Sequence, residues 1–293
     1  MAQTITPSLW FSDDINEVIE RYVAIFDPHL PGGARVTRTS HYPSEGLLDF
    51  QKANAGKVLT IDFVLGDMAF TAINGGPAFT PNASISFFVR LSDRGSVTAL
   101  WESLSDGGSV LMELGSYPFN DHYGWVEDRN GVSWQLALAG EDPGPVIVPS
   151  LLFNGQAVGH AEAALRRYVD VLGGEIGTLA PYPEPTGPAA AGDLMYGDAR
   201  LGESLLAAMD SGAPMDVPFG PGVSFIVACD GQAELDRVWA GLSRVPQAEQ
   251  CGWCTDEFGV SWQVVPSNLD ELMERPGAYE ALMHMRKIVI AEL

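Results

Sequence analysis

Long apolar runs, cysteine, histidine and positive charge are all scarce in this 293-residue chain, and each shortage excludes something. No run approaches the roughly eighteen apolar residues of a membrane-spanning helix, so no membrane partner is expected. The cysteines are only Cys229, Cys251 and Cys254, too few and too clustered for a secreted disulfide framework. Lys and Arg total 16 against 38 Asp and Glu, a formal net charge of −22. Without surplus cations to replace counterions, binding to nucleic acid or to an anionic bilayer is not expected. The opening MAQTITPSLWF has neither a basic segment nor a long apolar one, so the expected location is cytoplasmic. His29, His41, His122, His160 and His284 show no H-x-x-x-H or H-E-x-x-H spacing. No glycine-rich loop is followed by Lys-Ser/Thr, and no G-x-G-x-x-G joins a strand to a helix. Neither a P-loop nor a dinucleotide or S-adenosylmethionine loop is therefore indicated.

What the chain does contain is a repeat. Residues 123–136, YGWVEDRNGVSWQL, return at 251–264 as CGWCTDEFGVSWQV. Gly131 and Gly259 suit a turn position with positive φ between two short strands. After the turn, Val132, Trp134 and Leu136 point one way, and Ser133, Gln135 and Ala137 the other. The repeat extends much further. ITPSLWF (5–11) is echoed by IVPSLLF (147–153), and ISFFV (85–89) by VSFIV (223–227). Ile15, Val18, Ile19, Tyr22 and Phe26 predict a helix over 13–26, capped by Ser12 or Asp13. Strands are expected over 34–42, 57–65, 68–74, 85–90 and 109–114, with a helix striped by Val97, Leu100, Trp101 and Leu104.

The order is βαβββ twice over, then the same again, with the first helix of the second copy longer by about a turn. GEDPGPV (140–146) is the linker. The expected organisation is one domain over 1–140, a second over 147–266 and a helical tail over 267–293, with helices at 267–275 and 277–291. The segment 243–250 is shorter than its counterpart 105–122, so the seventh strand is expected to be reduced there.

PSLWF, the NGGP turn at 74–77, ISFFV, GGS and above all GWxxDxxGVSWQ resemble the PhnB-like branch of the vicinal oxygen chelate superfamily. That superfamily includes glyoxalase I, extradiol dioxygenases and bleomycin-resistance proteins, and its PhnB-like members often carry a demethylubiquinone methyltransferase label. The resemblance implies an α+β fold of tandem glyoxalase/bleomycin-resistance-like domains, each of paired βαβββ units around a cleft. It also implies where a divalent ion would be held, by His and Glu on four strands. Those positions fall here at Pro7 or Ser8, Pro149 or Ser150, Ser84, Gly222, Gln135 and Gln263. None is His, Asp or Glu, so neither metal nor cofactor is expected.

The inner faces then carry a neutral polar strip between apolar neighbours. Ser8, Trp10, Ser86, Phe88, Ser133 and Gln135 are expected in one cleft, and Ser150, Leu152, Ser224, Ile226, Ser261 and Gln263 in the other. Such walls suit a small organic ligand. The alternative is a metal-dependent enzyme of glyoxalase or dioxygenase type with atypical ligands. Asp62 and Glu113 are acid–base candidates by position alone, and His41 is the histidine nearest the cleft. Cys251-Gly-Trp-Cys254 lies in a strand rather than at a helix N-terminus, so it does not read as a redox pair. Because the second copy can supply a partner surface, a pseudo-dimeric monomer or a homodimer is expected.

Overall fold

The computed structural model describes residues 3–12, 14–140 and 144–293. Four units follow one another along the chain. The first has β1 (Thr6–Phe11), α1 (Ile15–Phe26), β2 (Ala34–His41), β3 (Val58–Leu65) and β4 (Met68–Asn74). The second has β5 (Ile85–Leu91), α2 (Arg94–Ser105), β6 (Ser109–Tyr117), β7 (Asn120–Glu127) and β8 (Ser133–Leu138). The third has β9 (Ile147–Phe153), α3 (Ala161–Leu172), β10 (Glu175–Pro181), β11 (Leu194–Leu201) and β12 (Ser204–Asp210). The fourth has β13 (Val223–Cys229), α4 (Gln232–Leu242), β14 (Trp253–Thr255) and β15 (Ser261–Pro266). The tail adds α5 (Leu269–Met273) and α6 (Ala278–His284).

The units pair edge to edge, but across the two halves of the chain. One sheet has seven strands in the order β14-β15-β13-β1-β4-β3-β2, and the other eight, β10-β11-β12-β9-β5-β8-β7-β6. The first unit thus joins the fourth through antiparallel β1 and β13, and the second joins the third through β5 and β9. The reason lies in the core. Consecutive units already pack face to face. Tyr22, Phe26, Phe63 and Phe70 of the first unit mesh with Phe87 and Trp134 of the second, ring centroids being 5.1 Å apart for Phe70–Phe87 and 4.9 Å for Phe26–Trp134. Units locked through their apolar faces cannot also align their edges, so each first strand finds its edge partner in the other half.

The repeated Asp secures this packing. Asp128 is 6% exposed and accepts four hydrogen bonds. Its Oδ2 takes the Tyr22 hydroxyl (2.6 Å) and the Trp134 indole N–H (2.9 Å), and its Oδ1 the backbone N–H groups of Asn130 and Val132. Asp256 does the same with Tyr168, Trp262, Phe258 and Val260. One carboxylate therefore closes its own hairpin and clamps the helix of the preceding unit. Gly131 and Gly259 take φ of +81° and +93° at these turns, as the sequence requires.

Three local expectations change. The α1 cap is Asp14, whose side chain accepts from the Asn16 N–H, rather than Ser12; Asp13 lies outside the described residues. Part of the linker, 141–143, lies outside them too. The first helix of the second half is no longer than its counterpart, 12 residues in each, and a 3-10 turn at Gly155–Ala157 takes up the extra chain. The tail is not helical through 277–291, because the carbonyls of Met285, Arg286 and Ile288 accept from Cys251, Gly252 and Gln232 instead of from their own helix. Those bonds close the edge beside three-residue β14, where, among the described residues, the seven-stranded sheet has no counterpart of β6.

Candidate functional site

Alternation along each strand puts the large apolar residues on the core face and the polar strip on the opposite, concave face. On the seven-stranded sheet, register aligns Ser261, Ser224, Ser8, Thr71, Asp62 and Arg38 in one row across six strands. On the eight-stranded sheet the matching row is Ser133, Ser86, Ser150, Ala207 and Asp198. The twelve strip residues are thus regrouped. Ser8 and Trp10 join Ser224, Ile226, Ser261 and Gln263, whereas Ser150 and Leu152 join Ser86, Phe88, Ser133 and Gln135. The cross-half pairing of units dictates that exchange.

The two faces share one hydrogen-bond plan. Gln263 Nε2 donates to Ser224 Oγ (3.1 Å), and Gln135 Nε2 to Ser86 Oγ (2.8 Å). At the centre of each face stands one serine, Ser8 or Ser150, no more than 1% exposed. The hydroxyl oxygens of both lack a hydrogen-bond partner among the described residues. The surroundings then differ. On the eight-stranded face the Tyr123 hydroxyl donates to Gln135 Oε1, and the Trp125 indole donates to Ser133 Oγ (2.7 Å). Burial raises the Tyr123 hydroxyl well above its ordinary pKa, which keeps it a donor. Tyr117 and Phe119 pack on the Tyr123 ring.

On the seven-stranded face Cys251 precedes the repeated Gly-Trp in place of Tyr123. The Trp10 indole N–H donates to the Gly76 carbonyl (2.7 Å), and its ring lies where any Cβ on Gly75 would sit, 2.1 Å from that point. The ring meets Phe79 at 5.0 Å and Trp253 at 5.9 Å between centroids. β1 and β14 are three strands apart, about 14 Å, so the two indoles lean together over β13 and β15. The tail completes this face. Arg38 on β2 pairs with Asp270 on α5, and Gln51 donates to the Tyr279 hydroxyl on α6 (3.0 Å). Asp270 follows the end of β15 by four residues, yet β15 and β2 are five strand spacings apart. Only a curled sheet allows that reach, so the tail crosses the mouth of the curl.

The other sequence candidates fall elsewhere. Asp62 lies on the concave row, its Oδ1 accepting from Thr71 Oγ1 (2.7 Å). Glu113 is exposed on β6 of the other sheet, so the two carboxylates form no acid–base pair. His41 borders a cavity of about 550 Å³ at the strand ends, with Asp14, Asn16, Asn54, Lys57 and Asn74. A second, of about 220 Å³, is lined by Phe153, Gln156, His160 and Phe258 among others. None of the twelve strip residues lines either. Sequence reasoning missed Thr71, Phe79 and Trp253 on the concave face; Trp253 carried a signal, as part of the repeated motif.

The central groups on both faces are hydroxyl and amide, with Asp62 or Asp198 as the one carboxylate of each row, a poor match for a divalent ion. Among the described residues no three His, Cys, Asp or Glu side chains group to hold a metal. Burial raises all three thiols, Cys251 to about 11 and Cys229 and Cys254 to about 12. Under native conditions a thiol-specific disulfide reagent is therefore expected to leave Cys229 and Cys254 unlabelled and to react slowly with Cys251. All three should label in denaturant; rapid native labelling of two would contradict this.

Residues 3–137 and 145–265 match the family described as 3-demethylubiquinone-9 3-methyltransferase. The PhnB protein of Bacillus cereus is 30% identical over 47% of this chain and 100% of its own, with a TM-score of 0.40. Glyoxalase I of Zea mays is 16% identical over 96% of this chain and 97% of its own, TM-score 0.55. A mutant of the same maize enzyme is 15% identical over 92% of this chain and 95% of its own, TM-score 0.57. The two maize structures place more than nine-tenths of the chain in the glyoxalase fold. No curated protein matches. Among the described residues no helix is long and apolar enough to cross a membrane. The chain belongs to the 3-demethylubiquinone-9 3-methyltransferase family, is PhnB-like, and carries that family's domain twice in tandem on a glyoxalase fold.

Proposed function

We propose that this protein binds a small organic molecule on its concave faces through neutral hydrogen bonds and apolar contact, without a metal. The observation that carries the reading is the pair of serines at the sheet centres. Ser8 and Ser150 are equivalent in the repeat, and each holds a buried hydroxyl without a partner among the described residues. A buried polar atom left unpaired costs stability, and its presence at both equivalent positions fits a group kept for a ligand. The family's methyl-transfer description finds no support in these residues, which form no cofactor-binding glycine loop.

Two measurements test the proposal. Ser8→Ala and Ser150→Ala should leave the free protein as stable or up to about 1 kcal/mol more stable, while weakening any ligand found in a thermal-shift screen of aromatic compounds. Destabilisation by both substitutions would assign the hydroxyls a structural role instead. Elemental analysis of purified protein should find no stoichiometric Ni, Zn, Fe or Mn. Such a metal would favour a glyoxalase- or dioxygenase-type enzyme with atypical ligands.

The fold also supports a monomer that carries its pseudo-twofold within one chain, since each sheet already joins both halves. Sedimentation should show monomer or homodimer, and a tetramer as sole species would contradict this.

A further inference from the structure

We infer that the seven-stranded face is a site for an aromatic ammonium compound, a protonated amine carried on an aromatic ring. The inference rests on the small-molecule reading above, narrows it to one face and one ligand class, and adds a charged anchor to the neutral groups.

The faces have diverged at matching positions. Trp10 is replaced by Leu152 and Thr71 by Ala207, so the cluster of Trp10, Phe79 and Trp253 belongs to the seven-stranded face. Asp62 stands half-buried next to last in that row, hydrogen-bonded by the Thr71 hydroxyl. Its cross-strand neighbour on the same face is Arg38, the cation placed to neutralise it. Arg38 is instead paired with Asp270 of the tail. The carboxylate is thus left with a hydroxyl for company, on the same face as the Trp10 cluster and within two strands, about 10 Å, of the Ser8 hydroxyl, which has no partner among the described residues. Carboxylate and ring quadrupole both attract a cation, the first by charge and hydrogen bonding, the second through its electron-rich face. The net charge of −22 acts in the same direction at longer range. On the eight-stranded face the equivalent Asp198 is already occupied. Its Oδ1 accepts from the Thr178 backbone N–H (3.1 Å), and the Tyr196 hydroxyl meets its carboxylate.

The test uses three probes of one size on the full chain: 2-phenylethylammonium, neutral 2-phenylethanol and anionic 3-phenylpropionate. Calorimetry and tryptophan fluorescence read binding. The ammonium probe should bind saturably at one site, change the tryptophan emission and out-compete the other two. Asp62→Asn keeps an acceptor for Thr71 and should weaken the ammonium probe by about tenfold, roughly one charge-assisted hydrogen bond. Trp10→Leu, which copies the other half of the chain, should weaken it as well, and Asp198→Asn should leave it unchanged. Equal binding of the alcohol and the ammonium probe, with both sensitive to Ser8→Ala, would overturn this inference and leave the broader reading standing. Insensitivity to Asp62→Asn, or loss with Asp198→Asn, would also overturn it. No binding by any of the three would overturn it and count against small-molecule binding on this face.

Discussion

Asp128→Ala is expected to lower folding stability by about 3–5 kcal/mol, and Asp256→Ala by a similar amount. Each substitution strands two backbone N–H groups, a tyrosine hydroxyl and an indole N–H in a core where Tyr22, Tyr168, Trp134 and Trp262 are almost fully buried. Asparagine should rescue little. All four partners donate, two to each carboxylate oxygen, so the amide nitrogen must face two donors whichever way it turns. Urea midpoints measure the loss, and a value below about 1 kcal/mol would mean that water replaces the carboxylate. The pH dependence follows from burial, which raises both carboxyls against the downward pull of their donors. A carboxyl raised in the folded state contributes stability that is full below its unfolded pKa, about 4, and lost as pH climbs through its folded value. The stability of the unmutated protein relative to Asp128→Asn should therefore fall as pH rises from about 4 towards neutrality. A flat difference would show that these carboxyls titrate alike in both states.

These aspartates mark the boundary of what the sequence discloses. The repeated GWxxDxxGVSWQ stretch is enough to place both hairpins, the positive-φ glycines and the face on which Trp134 and Trp262 are buried, because strand alternation and turn chemistry are local. It cannot disclose that Asp128 holds Tyr22, since that contact spans 106 residues. The strip of serines and glutamines is legible for the same local reason: each residue follows from the parity of its own strand. Its division between two faces is not. Which first strand lies beside β1 depends on whether consecutive units pack face to face or edge to edge, and that is decided by Phe70 against Phe87 and Phe26 against Trp134. Asp62 shows both sides of this. Its strand and face are readable, but its charge is left uncompensated only because Asp270, more than two hundred residues later, takes Arg38.

Deleting residues 267–293 is expected to destabilise the chain by at least about 4 kcal/mol and to abolish ligand binding on the seven-stranded face while sparing the eight-stranded one. Leu272 and Ile288 are 1% and 0% exposed, and burying side chains of this size contributes about 1.5–3 kcal/mol each. The deletion also leaves the Cys251 and Gly252 N–H groups unpaired at an edge that has no further strand, where the tail carbonyls now accept from both. The β2–β3 connection loses the Gln51–Tyr279 contact at the same time. Asp270→Asn separates the local effect from the global one. The Arg38–Asp270 pair is largely solvent-exposed, so its loss should cost less than about 1 kcal/mol. Released from Asp270, Arg38 can turn to Asp62 and neutralise it, so this variant should keep its unfolding midpoint yet lose affinity for a cationic ligand. Unchanged stability on deletion would show that the tail rests on the sheet without supporting it. Unchanged cation affinity in Asp270→Asn would show that the tail does not set the charge of the face it spans.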